Sequence, residues 1–359
     1  MGEPSTAVGT DPAEETVLLH RDGHVGRIVL NRPRALNALD LGMVRGIDRA
    51  LDAWEHDPAV RAVVISGAGE RGLCAGGDVR AIRADVLAGG GAASRTFWRE
   101  EYRLNARIAR FGREAKPYVA LMDGIVMGGG VGISAHGSVR VVTERSAVAM
   151  PETTIGFVPD VGGTYLLSRA PGELGTHLAL TAAPVGAADA ILCGLADAFV
   201  PAEDLPGLAA ALAATEAAEA VRDRSATAPE GRLAEQREWI DGCYAADTVE
   251  EIVERLLASG VQEAKEAAET IAGKSPTSLK VTLAALRRAR ELPTLAAVLE
   301  QEFRVSCAML AGPDLVEGVR AQVVDKDRTP RWSPSALAEV GAAEVERHFA
   351  PTDRRPLFG

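Results

Sequence analysis

The chain has 359 residues, 47% of them hydrophobic and 25% charged, with a formal net charge of −11. That is enough apolar mass for one large core plus an appendage, while an acidic balance with a pI near 5.2 argues against nucleic acid or an anionic membrane as a standing partner. No apolar run approaches the roughly 18 residues that span a bilayer, and the cysteines Cys74, Cys193, Cys243 and Cys307 lack the spacing of a zinc site or disulfide framework, so the expectation is free thiols, no metal and a cytoplasmic setting.

The first twenty residues carry acids but no Lys or Arg, unlike a secretory or transit peptide. The opening MGEPST satisfies the loose myristoylation pattern, but no polybasic second signal follows, and residues 1–14 read as a flexible N-terminal tail. Next, ETVLLHRDGHVGRIVLN holds two β-rich runs around Arg21-Asp22-Gly23-His24, the punctuation of a hairpin. Leu41, Val44, Ile47, Leu51 and Trp54 then recur at helical spacing behind Asp40, a candidate N-cap.

AVVISG is a short buried strand that runs into GAGERGLCAGGDVRAI, a glycine-rich loop opening a helix. After the helical stretch RTFWREEYRLNARIARF the pattern returns as strand PYVALMDG, glycine-rich IVMGGGVGISAHG and strand VRVVTE. Strand, glycine loop and helix thus occur twice about fifty residues apart, which predicts a coiled ββα succession and not a doubly wound sheet. From about residue 186 the composition turns to Ala, Leu and Glu with helical periodicity, interrupted near RDRSATAPEG. The expected division is a ββα core over 15–200 and a mostly helical region over 201–359.

Glycines let a backbone approach a ligand closely, and a helix N-terminus adds its dipole, so CAGGD and MGGGVG are both candidate cradles for a developing oxyanion. Each is also an ordinary strand-to-helix turn. Neither is a Walker A loop, and neither matches G-x-G-x-x-G with a ribose-binding acid, which disfavours nucleotide hydrolysis and hydride transfer. The six histidines fall in no Ser-His-Asp or H-E-x-x-H arrangement, and His136 in ISAHGS reads as a packed residue.

AMPETTIGFVPDVGGTY places Glu152 and Asp160 among apolar and glycine residues, each behind a proline. Carboxyls in such surroundings have raised pKa values and suit general base, nucleophile or acid work. The competing reading of Asp160 is a cap for the helix beginning near Val161.

NRPRALNALD, GLCAGGDVR, MGGGVGIS and MPETTIGFVPDVGG, in this order and spacing, resemble the crotonase (enoyl-CoA hydratase/isomerase) superfamily. FWREEYRLN, KPYVAL, SPTSLK and EGVRAQVVDKDRTPRW are similar to its 3-hydroxyisobutyryl-CoA hydrolase branch. The resemblance implies an α/β fold with a crotonase-like ββα superhelical core and a helical C-terminal region. It implies hydrolysis of a short 3-hydroxyacyl-CoA thioester in valine catabolism, with CoA as part of the substrate and no other cofactor, and a trimer or hexamer as the assembly.

Position by position, the resemblance makes the amides of Gly77 and Gly129 an oxyanion hole and Glu152 the nucleophile or general base. Asp160 would bind the 3-hydroxyl or shuttle a proton, and Glu101 would contact substrate, though a solvated helix acid reads nearly as well. For CoA it names Ala35, Leu36, Ala75 and Asp78, and it leaves Arg34 and Lys326 as basic residues near a phosphate or simply solvated. Hydratases carry a second glutamate where this chain has Gly132, and tend to have glycine where it has Asp160. Hydration is therefore disfavoured.

Overall fold

Residues 15–351 and 356–358 are described by the structure, a computed structural model of the chain. The expected N-terminal tail and its MGEPST pattern lie outside them.

β1 (Val17–Asp22) and β2 (Val25–Leu30) form the expected hairpin, turning at Gly23, whose φ of 57° is a left-handed conformation that glycine adopts without steric cost. α1 (Leu41–Glu55) follows, and Asp40 caps it by accepting the Met43 amide at 2.8 Å. Parallel strands then stack outward from β2 as β3 (Ala62–Gly67), β4 (Tyr118–Met122), β6 (Val139–Val142) and β8 (Ala198–Phe199). Their register sets Ile28 beside Ile65, Ile65 beside Ala120 and Val142 beside Phe199. The continuous apolar runs follow from burial on both faces.

A second, shorter layer repeats the turn. β5 (Ile125–Met127) pairs with β7 (Ala147–Ala149), and single bridges join Leu39 to Gly77, Cys74 to Val126 and Val148 to Val185. Each coil thus adds one strand to the large sheet and one short segment to the small one, the expected ββα superhelix. α2 (Val79–Gly89), α3 (Ala92–Glu114) and the short α4 (Gly129–Gly132) spring from the two glycine loops and the connection between them.

Beyond β8 the described residues are largely helical to Val319 and join the same core: one apolar cluster runs from Ile28 to Leu357. Helix Leu295–Met309 lies against α3. Ile108 and Phe111 of α3 and Leu299, Phe303 and Val305 of that helix are buried together in this core. No helix among the described residues is long and apolar enough to cross a membrane.

Candidate active site

The small sheet brings the two glycine loops side by side. Leu39 donates to the Gly76 carbonyl, Asp78 to Leu39, and Met127 to the Cys74 carbonyl at 2.9 Å, so CAGGD runs along MGGGVG. Among the described residues, the amides of Gly77 and Gly129 have no acceptor. A Cβ placed on Gly129 would stand 3.2 Å from the Gly77 nitrogen and 2.7 Å from Glu101 Oε1, so both amides and the carboxyl meet at one spot.

A cavity of about 230 Å³ opens there. Its polar lining is Glu101, Glu152, Thr154 and Asp160 with the two glycine loops, and its apolar wall includes Phe97 and the stacked pair Trp98 and Phe157, ring centres 5.1 Å apart. A much larger surface groove, about 1220 Å³, runs along the outer side of α3 past Arg103, Arg107 and Arg110 and holds none of the three acids. Volume and chemistry therefore point to different places, and the smaller cavity is the reactive one because the unpaired amides and carboxyls converge there.

Glu152 begins a 3₁₀ turn (Glu152–Ile155) directly after β7 and Pro151. Its Oε1 lies 2.6 Å from where a Cβ on Gly128 would stand, and its buried Oε2 has no partner. Burial first, and the Asp160 charge second, hold Glu152 well above the usual carboxylate range. The same two causes act on Glu101, whose Oε1 is likewise unpartnered.

Asp160 is pushed up to about 7 by burial, against the hydrogen bond from Tyr102 that favours its charged form. The cap alternative fails on geometry. α5 (Gly163–Leu167) has Gly162 at its N-cap without any side-chain bond, and Asp160 Oδ2 is turned instead to the Tyr102 hydroxyl at 2.6 Å.

Gly132 sits where a side chain cannot enter. Its Cβ would meet Val161 Cβ at 2.6 Å and Asn105 Nδ2 at 2.9 Å. Val161 has φ 53°, a costly conformation for a β-branched residue, and its carbonyl accepts His136 Nε2 at 2.8 Å. His136 is thus the packed residue expected, kept neutral by burial that lowers it to about 4. Gly132→Glu should cost about 1–3 kcal/mol by overpacking and lower the melting temperature. A thermal melt unchanged from wild type would show that the space is free.

The positions expected to hold CoA separate. Ala75 lines the cavity, while Ala35, Leu36 and Asp78 do not. Ala35 ends a 3₁₀ turn (Pro33–Ala35), and Leu36 follows in a left-handed conformation and accepts the Ala75 amide at 3.0 Å, which ties the NRPRALNA turn to the first loop. The Asp78 side chain is spent on the α2 cap and on Arg32 at 3.2 Å.

Sequence reasoning passed over the residues behind the acids. Phe97, Trp98, Tyr102 and Asn105 share one face of α3 with the expected Glu101, a pattern legible from helical spacing. Glu302 is buried and accepts Gly162 N at 2.6 Å, Thr164 N at 2.9 Å and Thr164 Oγ1 at 2.6 Å. Burial lifts it to about 8 against those bonds. Its sequence signal is weak, one of two acids in a helix that also carries Gln301 and Arg304.

The enoyl-CoA hydratase/isomerase family model matches residues 25–349. Curated relatives named as mitochondrial 3-hydroxyisobutyryl-CoA hydrolase include those of Gallus gallus, 44% identical over 98% of this chain and 93% of the relative, and Homo sapiens, 44% identical over 95% and 89%. A crystal structure named as a carnitinyl-CoA dehydratase from Mycobacterium thermoresistibile superposes with a TM-score of 0.91 at 54% identity, covering 95% of this chain and 98% of that one. The mitochondrial naming of the curated relatives overturns the cytoplasmic expectation, which rested on the lack of a long apolar run, the first twenty residues and the reading of the cysteines as free thiols, none of which reports an address directly. With the family model covering nearly all of the described residues and the coiled ββα architecture in place, the chain belongs to the enoyl-CoA hydratase/isomerase family.

Proposed function

We propose that the chain hydrolyses the thioester of 3-hydroxyisobutyryl-CoA to 3-hydroxyisobutyrate and free CoA, a step of valine breakdown. The observation that carries the reading is the placement of Glu152 and Asp160 on one cavity with two unpaired glycine amides, while the space at Gly132 is filled. The names of the curated relatives support the substrate.

In this reading the thioester carbonyl oxygen lies against the amides of Gly77 and Gly129, each worth about 3 kcal/mol as charge builds on that oxygen. Glu152 delivers the attack on the carbonyl carbon, directly as nucleophile or through a water that it deprotonates. Either way the C–S bond breaks, and the CoA sulfur leaves as thiolate and takes up a proton; on the direct route a water then hydrolyses the anhydride left on Glu152, which releases the acid and restores the carboxylate. Asp160 receives the 3-hydroxyl, Glu101 closes the cavity beside the amides, and the Trp98–Phe157 wall holds the carbon chain. Carboxyls and amides suffice, so no cofactor is required beyond the CoA that the substrate carries. Assembly as a trimer or hexamer remains part of the proposal by family resemblance.

A second reading, addition or removal of water across a double bond, is favoured by the dehydratase name of the 54% identical structure. By the family resemblance its second acid would stand at Gly132, which supplies none, while the other acids of the cavity, Glu101 and Asp160, come from different positions. Thiol release from purified 3-hydroxyisobutyryl-CoA and isobutyryl-CoA tests the proposal. The expected outcome is faster release from the hydroxylated substrate, by roughly tenfold or more, because a site that pairs a hydroxyl penalises its absence. Equal rates would remove the 3-hydroxyl from the reading, and no release from either would end it.

A further inference from the structure

We propose that Tyr102, backed by Ser306, is a positioning residue that holds one oxygen of Asp160 and leaves the other free for the substrate. The inference rests on the thioesterase reading for its purpose but not for its test.

The Tyr102 hydroxyl donates to Asp160 Oδ2 at 2.6 Å, and Ser306 Oγ lies 2.8 Å from the same hydroxyl. A phenol has one proton. With that proton on Asp160, Ser306 must be the donor to Tyr102, giving a directed chain from Ser306 through Tyr102 to Asp160. Asp160 Oδ1 takes no hydrogen bond from another residue among those described, and Asp160 lines the cavity while Tyr102 and Ser306 do not.

Both supports are rigid. Tyr102 is fully buried on α3 and meets Phe303 edge-on at 6.1 Å, and Ser306 is fully buried one helical turn beyond Glu302. Helix Leu295–Met309 therefore grips the segment after β7 twice, with Glu302 on Gly162 and Thr164 and with Ser306 on the tyrosine that holds Asp160.

Asp160 is faced by titratable groups from three elements: Glu101 and Tyr102 of α3, Glu152 of the 3₁₀ turn, and Glu302 of helix Leu295–Met309. Asp160 raises the three carboxyls, and burial is what opposes its own ionisation. Tyr102 alone among these groups donates a hydrogen bond to the charged form, and Ser306 strengthens that donor by polarising it.

The test follows the Asp160 titration by carbon-13 NMR of protein labelled at the aspartate carboxyl, with Asp160→Asn identifying the resonance and no substrate present. Tyr102→Phe should raise the midpoint by about 1 pH unit or more, the size expected for one hydrogen bond to a charged group. Ser306→Ala should raise it by less, and in the Tyr102→Phe background it should do nothing further, because Ser306 acts only through the tyrosine. Kinetically, Tyr102→Phe should lower kcat more than it raises KM. An unmoved midpoint in Tyr102→Phe, or a Ser306→Ala effect that persists without the tyrosine hydroxyl, would overturn the proposal. Absence of all thioesterase activity in the wild-type protein would overturn the proposed function and leave this titration readable.

Discussion

Glu152→Gln should abolish most turnover, by about a thousandfold or more in kcat, while the folded protein becomes no less stable. The two effects share one cause. Glu152 is buried with Oε2 unpartnered, and burial and the charge of Asp160 both oppose its ionised form. Above the ordinary carboxylate range, folding must either bury that charge or take up a proton to neutralise it, and the neutral amide avoids either cost at nearly constant volume. The same substitution removes the nucleophile or base from the reaction. A higher melting temperature with collapsed kcat is the signature of a residue retained for chemistry, read by a thermal melt and a thiol-release assay on one preparation. Near-normal turnover would remove Glu152 from the reaction.

The second large effect is expected at Asp160. Asn can still accept the Tyr102 proton through its amide oxygen, so the buried chain from Ser306 survives and the melting temperature should move by no more than about 2 °C. At the face turned to the cavity the change exchanges a carboxylate for an amide. Turnover on 3-hydroxyisobutyryl-CoA should fall by about a hundredfold, the usual weight of one positioned acid or base. Asp160→Gly should in addition shrink the advantage of the hydroxylated substrate over isobutyryl-CoA, since no acceptor is left for the hydroxyl. An Asn variant with wild-type turnover and an unchanged substrate ratio would make Asp160 a structural residue held by Tyr102 and nothing more.

What was legible in the sequence follows the range of the interactions that decide it. The β1–β2 hairpin, α1 behind Asp40 and the two glycine loops rest on local patterns: turn residues, a cap, and a period of 2 or 3.6. Glu152 and Asp160 stood out because acids are rare in such apolar surroundings, and the structure sets both on the same cavity as Glu101, Gly77 and Gly129.

Contacts between distant segments were not legible. Phe97, Trp98 and Tyr102 are apolar or amphipathic residues on a helix face, and nothing local distinguishes a cavity wall from ordinary core. Glu302 lies about 140 residues from the turn it clamps, a pairing that only the packing of its helix against α3 and α5 reveals. The cap reading of Asp160 fails for a related reason: Val161 and Gly162, both at positive φ, turn the chain between the acid and the helix. Nothing in the residue types announces a left-handed valine. The filling of the Gly132 space by that valine is likewise a consequence of backbone shape.

The most direct measurement follows one reaction mixture by two signals, the absorbance of the enoyl thioester and the appearance of free thiol, with crotonyl-CoA in one arm and 3-hydroxyisobutyryl-CoA in the other. The account predicts rapid thiol release from 3-hydroxyisobutyryl-CoA and a persistent enoyl absorbance in the crotonyl-CoA arm, because Gly132 leaves no acid at the position where the resemblance puts the second hydratase glutamate. Rapid loss of the enoyl absorbance with no thiol released in either arm would contradict it and make the chain a hydratase.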